Sequence, residues 1–205
     1  DSEDDAEIFV GCAGGVDTTC TFKYAQQVAP QDKQYLKIAV ADGQGGHSGC
    51  DIHLGRANAN KLLARFLWQV AKTQELTLAQ IEGGNLRNAI PRAASAIIGV
   101  DKATKEAVRI AFNNYIADVE FEYAGVEPDL KLTLESVDAP EYCIDNDTAM
   151  RLINALYCAP HGVISMSRDL EGLVETSTNL ASVKMLPNEE ILVTTSQRSS
   201  VDSRK

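Results

Sequence analysis

A histidine framed by glycines is the first feature of this sequence that could do chemistry. His47 lies in the run Gly45-Gly46-His47-Ser48-Gly49. Glycines let backbone and imidazole approach a ligand closely, and an imidazole in such a loop can donate a hydrogen bond to an oxyanion or a carboxylate. The plain alternative is a solvated histidine near a tight turn, and the spacing alone leaves both interpretations open.

Two further side chains are good hydrogen-bond donors to a planar carboxylate. Asn88 lies in a segment that begins with the pair Gly83-Gly84 and ends at Pro91, and Arg198 follows the last predicted strand. An amide donates from its nitrogen, and a guanidinium presents a fork of donors. On local sequence alone, a polar connection at Asn88 and a surface arginine at 198 are the favoured interpretations.

The sequence contains binding groups without a complete catalytic set. His47 and His53 lack a cysteine or carboxylate partner at a standard zinc spacing. The sequence also lacks a nucleophile elbow, a phosphate loop and a dinucleotide fingerprint. The five cysteines are an odd number without a Cys-x-x-Cys pair, which indicates reduced thiols and a cytoplasmic protein.

Composition and charge limit the class of protein and its partners. With 205 residues, of which 44% are hydrophobic, the chain can bury a core. The net charge of −10 repels phosphate, so nucleic acid and anionic membranes are excluded as expected partners. No apolar run approaches the roughly 20 residues that a membrane-spanning helix needs.

Hydrophobic periodicity predicts an α+β fold. We expect a helix over residues 56–73, and a second helix that Asp101 caps and that Gly125 and Pro128 end. The predicted strands cover residues 21–28, 35–41, 76–81, 93–100 and 130–135. From residue 35 onward this order is the βαββαβ pattern of a ferredoxin-like sandwich, an antiparallel sheet with both helices on one face.

A further helix and a β-hairpin extend this unit. The helix is predicted to begin after an Asp147 cap and to stop at Pro160. The hairpin pairs residues 176–186 with residues 190–196 about a turn at Pro187-Asn188. A second partial sandwich, and with it a loose internal duplication, is the alternative for this half.

Taken in order, several stretches resemble the aminoacyl-histidine dipeptidases (Xaa-His or carnosine-type), a branch of the zinc aminoacylase and carboxypeptidase superfamily. They include Gly45-Gly46-His47-Ser48-Gly49 and Leu86-Arg87-Asn88-Ala89-Ile90-Pro91-Arg92. The others are residues 1–3, 11–15, 51–53, 58–63, 83–84, 174–177 with Asn179, and 198–199. As an ordered combination across nearly the whole chain they are specific, although each alone is not.

The resemblance implies a role for each candidate residue. In that family a two-zinc catalytic domain is interrupted by a lid domain that also forms a homodimer. Asp1 then matches a metal-binding aspartate, and His47 the lid histidine that reaches into the partner's active site and steadies the oxyanion. Asn88 and Arg198 match lid residues that hold the substrate, with Arg198 at its C-terminal carboxylate.

The resemblance also implies a domain organisation. Residues 1–20 would form the junction with a catalytic domain that this sequence lacks, residues 21–198 the lid and dimerisation domain, and residues 199–205 a truncated C-terminal segment. The parent would be a zinc-dependent peptidase that hydrolyses Xaa-His dipeptides with two Zn²⁺ ions. The fragment alone would hold no zinc and be inactive.

Two alternative functions, and two departures from the family's sequence pattern, leave the function open. The alternatives are a free-standing ferredoxin-like module for binding or dimerisation, and the lid of a related amidase or tripeptidase. Cys50 stands where the family commonly has glycine, and Ala93 replaces an acidic residue. Neither touches a proposed functional residue, but they leave the preferred dipeptide undecided.

Overall fold

Ten strands and three α-helices make up residues 12–205, the part of the chain that this computed structural model describes. The helices are α1 (Ala59–Thr73), α2 (Lys105–Glu122) and α3 (Asn146–Cys158). The strands are β1 (Gly14–Lys23), β2 (Gln26–Val28), β3 (Lys33–Ala41), β4 (Thr77–Gly83), β5 (Ala94–Asp101), β6 (Lys131–Val137), β7 (Tyr142–Ile144), β8 (Gly162–Met166), β9 (Val174–Leu186) and β10 (Glu190–Ser199). Each helix in this part of the chain is too short or too polar for a membrane span.

The predicted α+β, ferredoxin-like unit is confirmed. It follows the order β3, α1, β4, β5, α2, β6, and its antiparallel strands lie side by side as β4-β5-β3-β6. Leu36, Ile38 and Val40 of β3 are buried in one core with all three helices, whereas Lys37 is exposed. The helices therefore cover one face of the sheet and leave the other face open.

Helix α1 forms where its apolar stripe and its cap predict it. Asn58 precedes the helix, and its side chain accepts a hydrogen bond from the backbone N–H of Lys61 at 3.2 Å. Leu62, Phe66 and Val70 lie on the buried side of the helix. The Phe66 ring meets that of Phe112 edge-on, with centroids 5.0 Å apart, which ties α1 to α2.

The second half of the chain continues the same sheet. The predicted hairpin is confirmed as β9 and β10, and the sheet runs β1-β10-β9-β4 into the first unit, with Gly83 paired to Val183 at the junction. Helix α3 packs against α1, where the rings of Trp68 and Tyr157 stack with centroids 4.0 Å apart. Both halves therefore share one core.

A half-buried lysine joins the two halves at the end of α3. Lys61 Nζ donates to the backbone carbonyls of Leu156, Tyr157 and Ala159 at 3.1, 2.6 and 2.7 Å. These are carbonyls that the end of a helix leaves without an intrahelical partner. Burial lowers the pKa of the Lys61 ammonium.

One strand prediction was wrong. Instead of a single strand over residues 21–28, the chain breaks at Tyr24 and Ala25. The backbone N–H of Ala25 donates to Asp145 Oδ2 at 2.9 Å, and β2 then leaves the large sheet to pair with β7. Ala25 and Asp145 are far apart in the sequence, so the alternation of hydrophobic residues around Ala25 could not reveal this contact.

Both predicted aspartate caps were misplaced. Asp101 is the last residue of β5, and Thr104 precedes α2. Helix α2 ends at Glu122, earlier than Gly125. Asp145 caps α3 by accepting a hydrogen bond from the backbone N–H of Thr148 at 2.9 Å, and Asp147 lies in the first turn, where a carboxylate favours the helix dipole.

Candidate functional site

Two side chains fix the backbone of the glycine loop, residues 42–49, which follows β3. Arg92 and Gly43 exchange two hydrogen bonds, from Gly43 N–H to the Arg92 carbonyl (3.1 Å) and from Arg92 Nε to the Gly43 carbonyl (2.8 Å). Arg56 Nη1 donates to the Gly45 carbonyl at 2.7 Å. These hydrogen bonds hold the loop against Arg56 and Arg92.

Two positions in this loop require glycine. Gly45 has a φ of 63° and Gly46 a φ of 131°, which side chains rarely adopt. A Cβ atom at Gly45 would lie 2.5 Å from Arg92 Cγ, and one at Gly46 would lie 2.6 Å from Asp51 Oδ2. The glycines therefore allow the loop to pack tightly against the residues that hold it.

Glu127 is a buried carboxylate that binds both the glycine loop and the start of α1. The sequence analysis missed it. Glu127 follows α2, and its Oε2 accepts the backbone N–H of Gln44 at 2.8 Å. Its Oε1 accepts the backbone N–H of Ala57, just before α1, also at 2.8 Å. Glu127 thus joins the glycine loop to the start of α1, a pairing that no local motif indicates.

The loop orients the half-buried imidazole of His47. The backbone N–H of His47 donates to Asp51 Oδ2 at 2.8 Å. Nδ1 of the ring accepts the backbone N–H groups of Gly49 and Cys50 at 3.3 and 3.1 Å. Since Nδ1 acts as an acceptor, the neutral ring carries its proton on Nε2. His47 can therefore donate through Nε2–H to a developing negative charge.

Arg198, near the end of β10, lies beside His47. A Cβ atom at Gly49 would be 3.1 Å from both His47 Cε1 and Arg198 Nη1. Arg198 Nε is buried and has no hydrogen-bond partner among residues 12–205. Because a buried guanidinium N–H without an acceptor is unfavourable, this group is suited to an anionic ligand.

The connection between β4 and β5 brings Asn88 to the same region. Its backbone carbonyl accepts the N–H of Ser48 at 2.8 Å, and the next residue, Ala89, forms a β-bridge with His47. The Asn88 side chain is exposed. On the other side, Arg87 Nη1 donates to Asp17 Oδ2 at 3.0 Å. The connection is thus held at both flanks while its central amide faces solvent.

Asn179 of β9 hydrogen-bonds to the backbone of this connection. Its buried side-chain Nδ2 donates to the carbonyl of Ala89 at 2.8 Å and to that of Arg87 at 3.4 Å, the two residues that flank Asn88. Its Oδ1 accepts from Asn58 Nδ2 at 3.4 Å. Asn179 appeared in the sequence only as part of a resemblance, and its role depends on contacts between distant strands.

His161, a neutral histidine, lies against Asn58 in the same group of polar side chains. His161 Nδ1 lies 3.1 Å from Asn58 Nδ2, which also donates to the Leu180 carbonyl at 3.1 Å. Burial, and then the nearby Lys61 ammonium, lower the pKa of His161 to about 4. His161 is therefore uncharged at neutral pH. Sequence analysis did not single it out, because its neighbours come from α1 and β9.

Three of the four predicted site residues come together. His47 and Arg198 flank Gly49, and Asn88 lies on the adjoining connection. Asp1 lies outside the residues that the structure describes. Within residues 12–205, no three His, Cys, Asp or Glu residues group closely enough to hold a metal ion. The described part of the site is a set of hydrogen-bond donors suited to an anionic group.

The first unit of the fold defines the class of protein. Residues 37–127 match the family model described as the peptidase dimerisation domain (M20). The match begins within β3 and ends at Glu127, so it contains the glycine loop, α1 and α2. Residues 37–127 therefore belong to the M20 peptidase dimerisation domain family.

Two relatives extend the similarity over the whole chain. The cytosol non-specific dipeptidase of Escherichia coli (strain K12) is 39% identical over 208 residues, which cover 100% of this chain and 42% of that protein. A crystal structure of aminoacylhistidine dipeptidase from Vibrio alginolyticus is 37% identical, with a TM-score of 0.91, and covers 99% of this chain and 41% of that one. The chain thus spans about two fifths of the length of both.

Proposed function

We propose that this chain is the lid and dimerisation domain of a zinc-dependent dipeptidase. The observation that carries the proposal is the pair formed by His47 and Arg198 on either side of Gly49. In this role Arg198 binds the C-terminal carboxylate of a peptide, and Nε2–H of His47 donates to the oxyanion that forms at the scissile carbonyl. Asn88 contributes a further hydrogen bond to the substrate from the exposed connection.

The closeness of the two groups suits cleavage of the peptide bond that precedes a C-terminal residue, which in a dipeptide is the one bond present. In a dipeptide, only one residue separates the terminal carboxylate from the scissile carbonyl, so one compact set of donors can reach both. A longer peptide offers this arrangement only at its last bond. Donors that are already oriented lose little entropy on binding and are effective at stabilising developing charge.

We further propose that two zinc ions act in this reaction but are bound mainly elsewhere in the parent protein. The candidate groups within residues 12–205 do not form a metal site. The missing ligands would belong to the three fifths of the relatives' length that this chain does not cover. Asp1 is the one proposed ligand in this sequence. The 205-residue chain supplied with zinc is then expected to leave Xaa-His dipeptides intact.

The proposal includes partners and a location. The peptidase dimerisation domain supports a homodimer, and the relative from E. coli is by name a cytosolic dipeptidase. We therefore propose a cytoplasmic homodimer that acts on small peptides. One relative is named non-specific and the other aminoacylhistidine, and of these we propose a preference for Xaa-His dipeptides. A hydrolysis assay of β-alanyl-histidine beside α-dipeptides with other C-terminal residues tests this preference.

Replacing His47 in the parent protein tests the oxyanion role. His47→Ala is expected to lower kcat by roughly 100- to 1,000-fold while KM changes little, because the interaction strengthens only in the transition state. His53→Ala is the matched control, since His53 is an exposed histidine of the neighbouring 3₁₀ helix. Unchanged turnover in His47→Ala would refute the role.

A further inference from the structure

A groove of about 930 Å³ lies on the face of the sheet that the helices leave open. Alternate residues of β3 line it, in the order Lys37, Ala39 and Ala41. Ala39 is paired with Ser95 of β5, so short side chains lie next to each other across two strands. Longer side chains surround them, among them that of Arg92, which contacts the loop after β3. We call this concave surface the open-face groove.

The charges that line the open-face groove favour an anionic ligand. Lys37, Arg92 and Lys184 contribute three positive charges, against the single carboxylate of Glu82. The whole chain, by contrast, has a net charge of −10. A local excess of positive charge attracts negatively charged ligands and raises their local concentration. Carboxylates are therefore the groups that this surface is best suited to bind.

Two of these cations are held in place by backbone carbonyls, which leave their charge in full. Arg92 Nε donates to the Gly43 carbonyl at 2.8 Å, and Lys184 Nζ donates to the Asn85 carbonyl at 3.2 Å. A guanidinium has five N–H groups and an ammonium three, so both retain donors for a ligand. Lys37 is exposed. Each of the three cations can therefore donate to a bound carboxylate.

The uncharged groups of the groove suit a peptide better than a small inorganic anion. Gln80 and Asn85 carry side-chain amides, and an amide both donates and accepts hydrogen bonds, as a peptide group does. Leu86 and Leu186 add apolar surface against which side chains can pack. A concave surface that combines apolar residues with a few polar groups is typical of a site for an organic ligand.

The width of the groove indicates the length of the peptide. The groove extends from Lys37 on β3 to Lys184 on β9, and these strands are separated by β5 and β4. Neighbouring strands lie about 4.8 Å apart, so the distance across is about 14 Å, which an extended chain covers with about four residues. A tetrapeptide with an acidic residue at each end would place one carboxylate near each lysine.

We propose that the open-face groove binds a short acidic peptide from solution, extended across the strands. Lys37 would bind one terminal acidic group, and Lys184 together with Arg92 would bind the other. The two side-chain amides would bind the peptide backbone between them. The residues proposed above to bind a dipeptide do not line this groove. The inference therefore goes beyond the proposed dipeptidase and does not depend on it.

Isothermal titration calorimetry tests the site in the 205-residue chain and in the longer parent, with an acetylated tetrapeptide of two alanines between two glutamates. The wild type is expected to bind one peptide per chain. Lys37→Gln and Lys184→Gln should each raise Kd by roughly 3- to 10-fold, because each removes one charged contact. Lys102→Gln is the matched control, since Lys102 is an exposed lysine after β5 that does not line the groove, and its Kd should equal that of the wild type.

Glu82→Gln provides a measurement that loss of folding cannot imitate. It removes the carboxylate that lines the groove, so the acidic peptide should bind roughly 2- to 5-fold more tightly. The same peptide with glutamines in place of the glutamates and with a C-terminal amide lacks carboxylates. It should not bind measurably to the wild type.

Ala39→Leu distinguishes a shaped groove from a general attraction between charges. A leucine would fill the space over the short side chains of β3 and β5 without changing any charge, so binding should be lost. Circular dichroism and Tm must match the wild type for each variant. Arg92 is kept in all of them, because its removal would also release the glycine loop.

Several results would overturn the proposal. These are equal Kd values for Lys37→Gln and Lys102→Gln, equal binding of the neutral peptide, and unchanged binding in Ala39→Leu. Binding to the 205-residue chain but not to the parent would show that the rest of the parent covers the groove. Sedimentation that shows a dimeric wild type and a monomeric Ala39→Leu variant would assign the groove to a second copy of the chain instead of a peptide.

Discussion

His47 and Arg198 approach each other because the residue between them has no side chain. A Cβ atom at Gly49 would lie 3.1 Å from His47 Cε1 and 3.1 Å from Arg198 Nη1. The backbone N–H of Gly49 also donates to His47 Nδ1 at 3.3 Å. Gly49 therefore supports the imidazole through its backbone and leaves room for the guanidinium through its missing side chain.

Gly49→Ala is expected to weaken the site without unfolding the protein. A methyl group would occupy the space between the two side chains and force one to move by a few tenths of an ångström or more. We expect kcat/KM of the parent to fall about tenfold, which corresponds to about 1.4 kcal/mol. Cys50→Ala, at the residue that follows the loop, is the control. Equal kinetics in the two variants would contradict this role of Gly49.

Arg198 is expected to act on the substrate carboxylate. Loss of a hydrogen bond between charged groups costs about 1.5–3 kcal/mol, so Arg198→Ala should raise KM by roughly 10- to 100-fold. Arg198→Lys should recover only part of this, because an ammonium lacks the fork of donors. Steady-state assays with a dipeptide and its C-terminal amide provide the measurement.

The amide substrate lacks the charged carboxylate, so its KM should respond far less to changes at residue 198. Arg151→Ala is the matched control, since Arg151 of α3 is an exposed arginine whose ion pair with Asp147 is worth little. An equal rise in KM for both substrates would indicate that Arg198 only maintains structure.

Asn179 and Asn88 should differ in their effect on stability. In Asn179→Ala, the carbonyl of Ala89 loses its 2.8 Å hydrogen bond to a buried side chain, so the free energy of unfolding should fall by about 1–3 kcal/mol. Asn88→Ala removes an exposed side chain and should leave stability within about 0.5 kcal/mol. Urea unfolding of the 205-residue chain measures both.

Both asparagine variants should raise KM in the parent, Asn88→Ala directly and Asn179→Ala through the displaced connection. The double variant should then show a smaller increase than the two single effects combined. Fully additive effects on KM would mean that Asn179 does not act through Asn88.

His161 should make the chain less stable in mild acid. Its pKa is about 4 in the folded chain and near 6.5 when unfolded, so the unfolded state binds more protons between these values. Stability is therefore highest above pH 6.5 and falls by about 2–3 kcal/mol towards pH 4. Urea unfolding between pH 4.5 and 7.5 should show this slope.

His161→Gln should reduce the pH slope, although loss of buried packing lowers stability at all pH values. His53→Ala is the control, because His53 is exposed and its removal should keep the slope. A slope that is the same in His161→Gln and in the wild type would contradict the assignment.

Local patterns in the sequence were sufficient for most of the fold. The apolar stripe of α1, the alternation in β3 and the turn between β9 and β10 predicted these elements because helix and strand periods depend on neighbouring residues. The glycines around His47 predicted a shaped loop for the same reason. The break at Tyr24 was missed because Asp145, which holds the following residue, is remote in the sequence.

Tertiary structure alone decided which side chains meet. Nothing in the residues near Arg198 distinguishes it from a surface arginine, and its position beside His47 depends on how β10, β9 and β4 extend the sheet. Glu127 and Asn179 likewise act through contacts with distant backbone groups. Periodicity specifies which face of an element is buried, whereas packing and strand register determine which distant groups that face will touch.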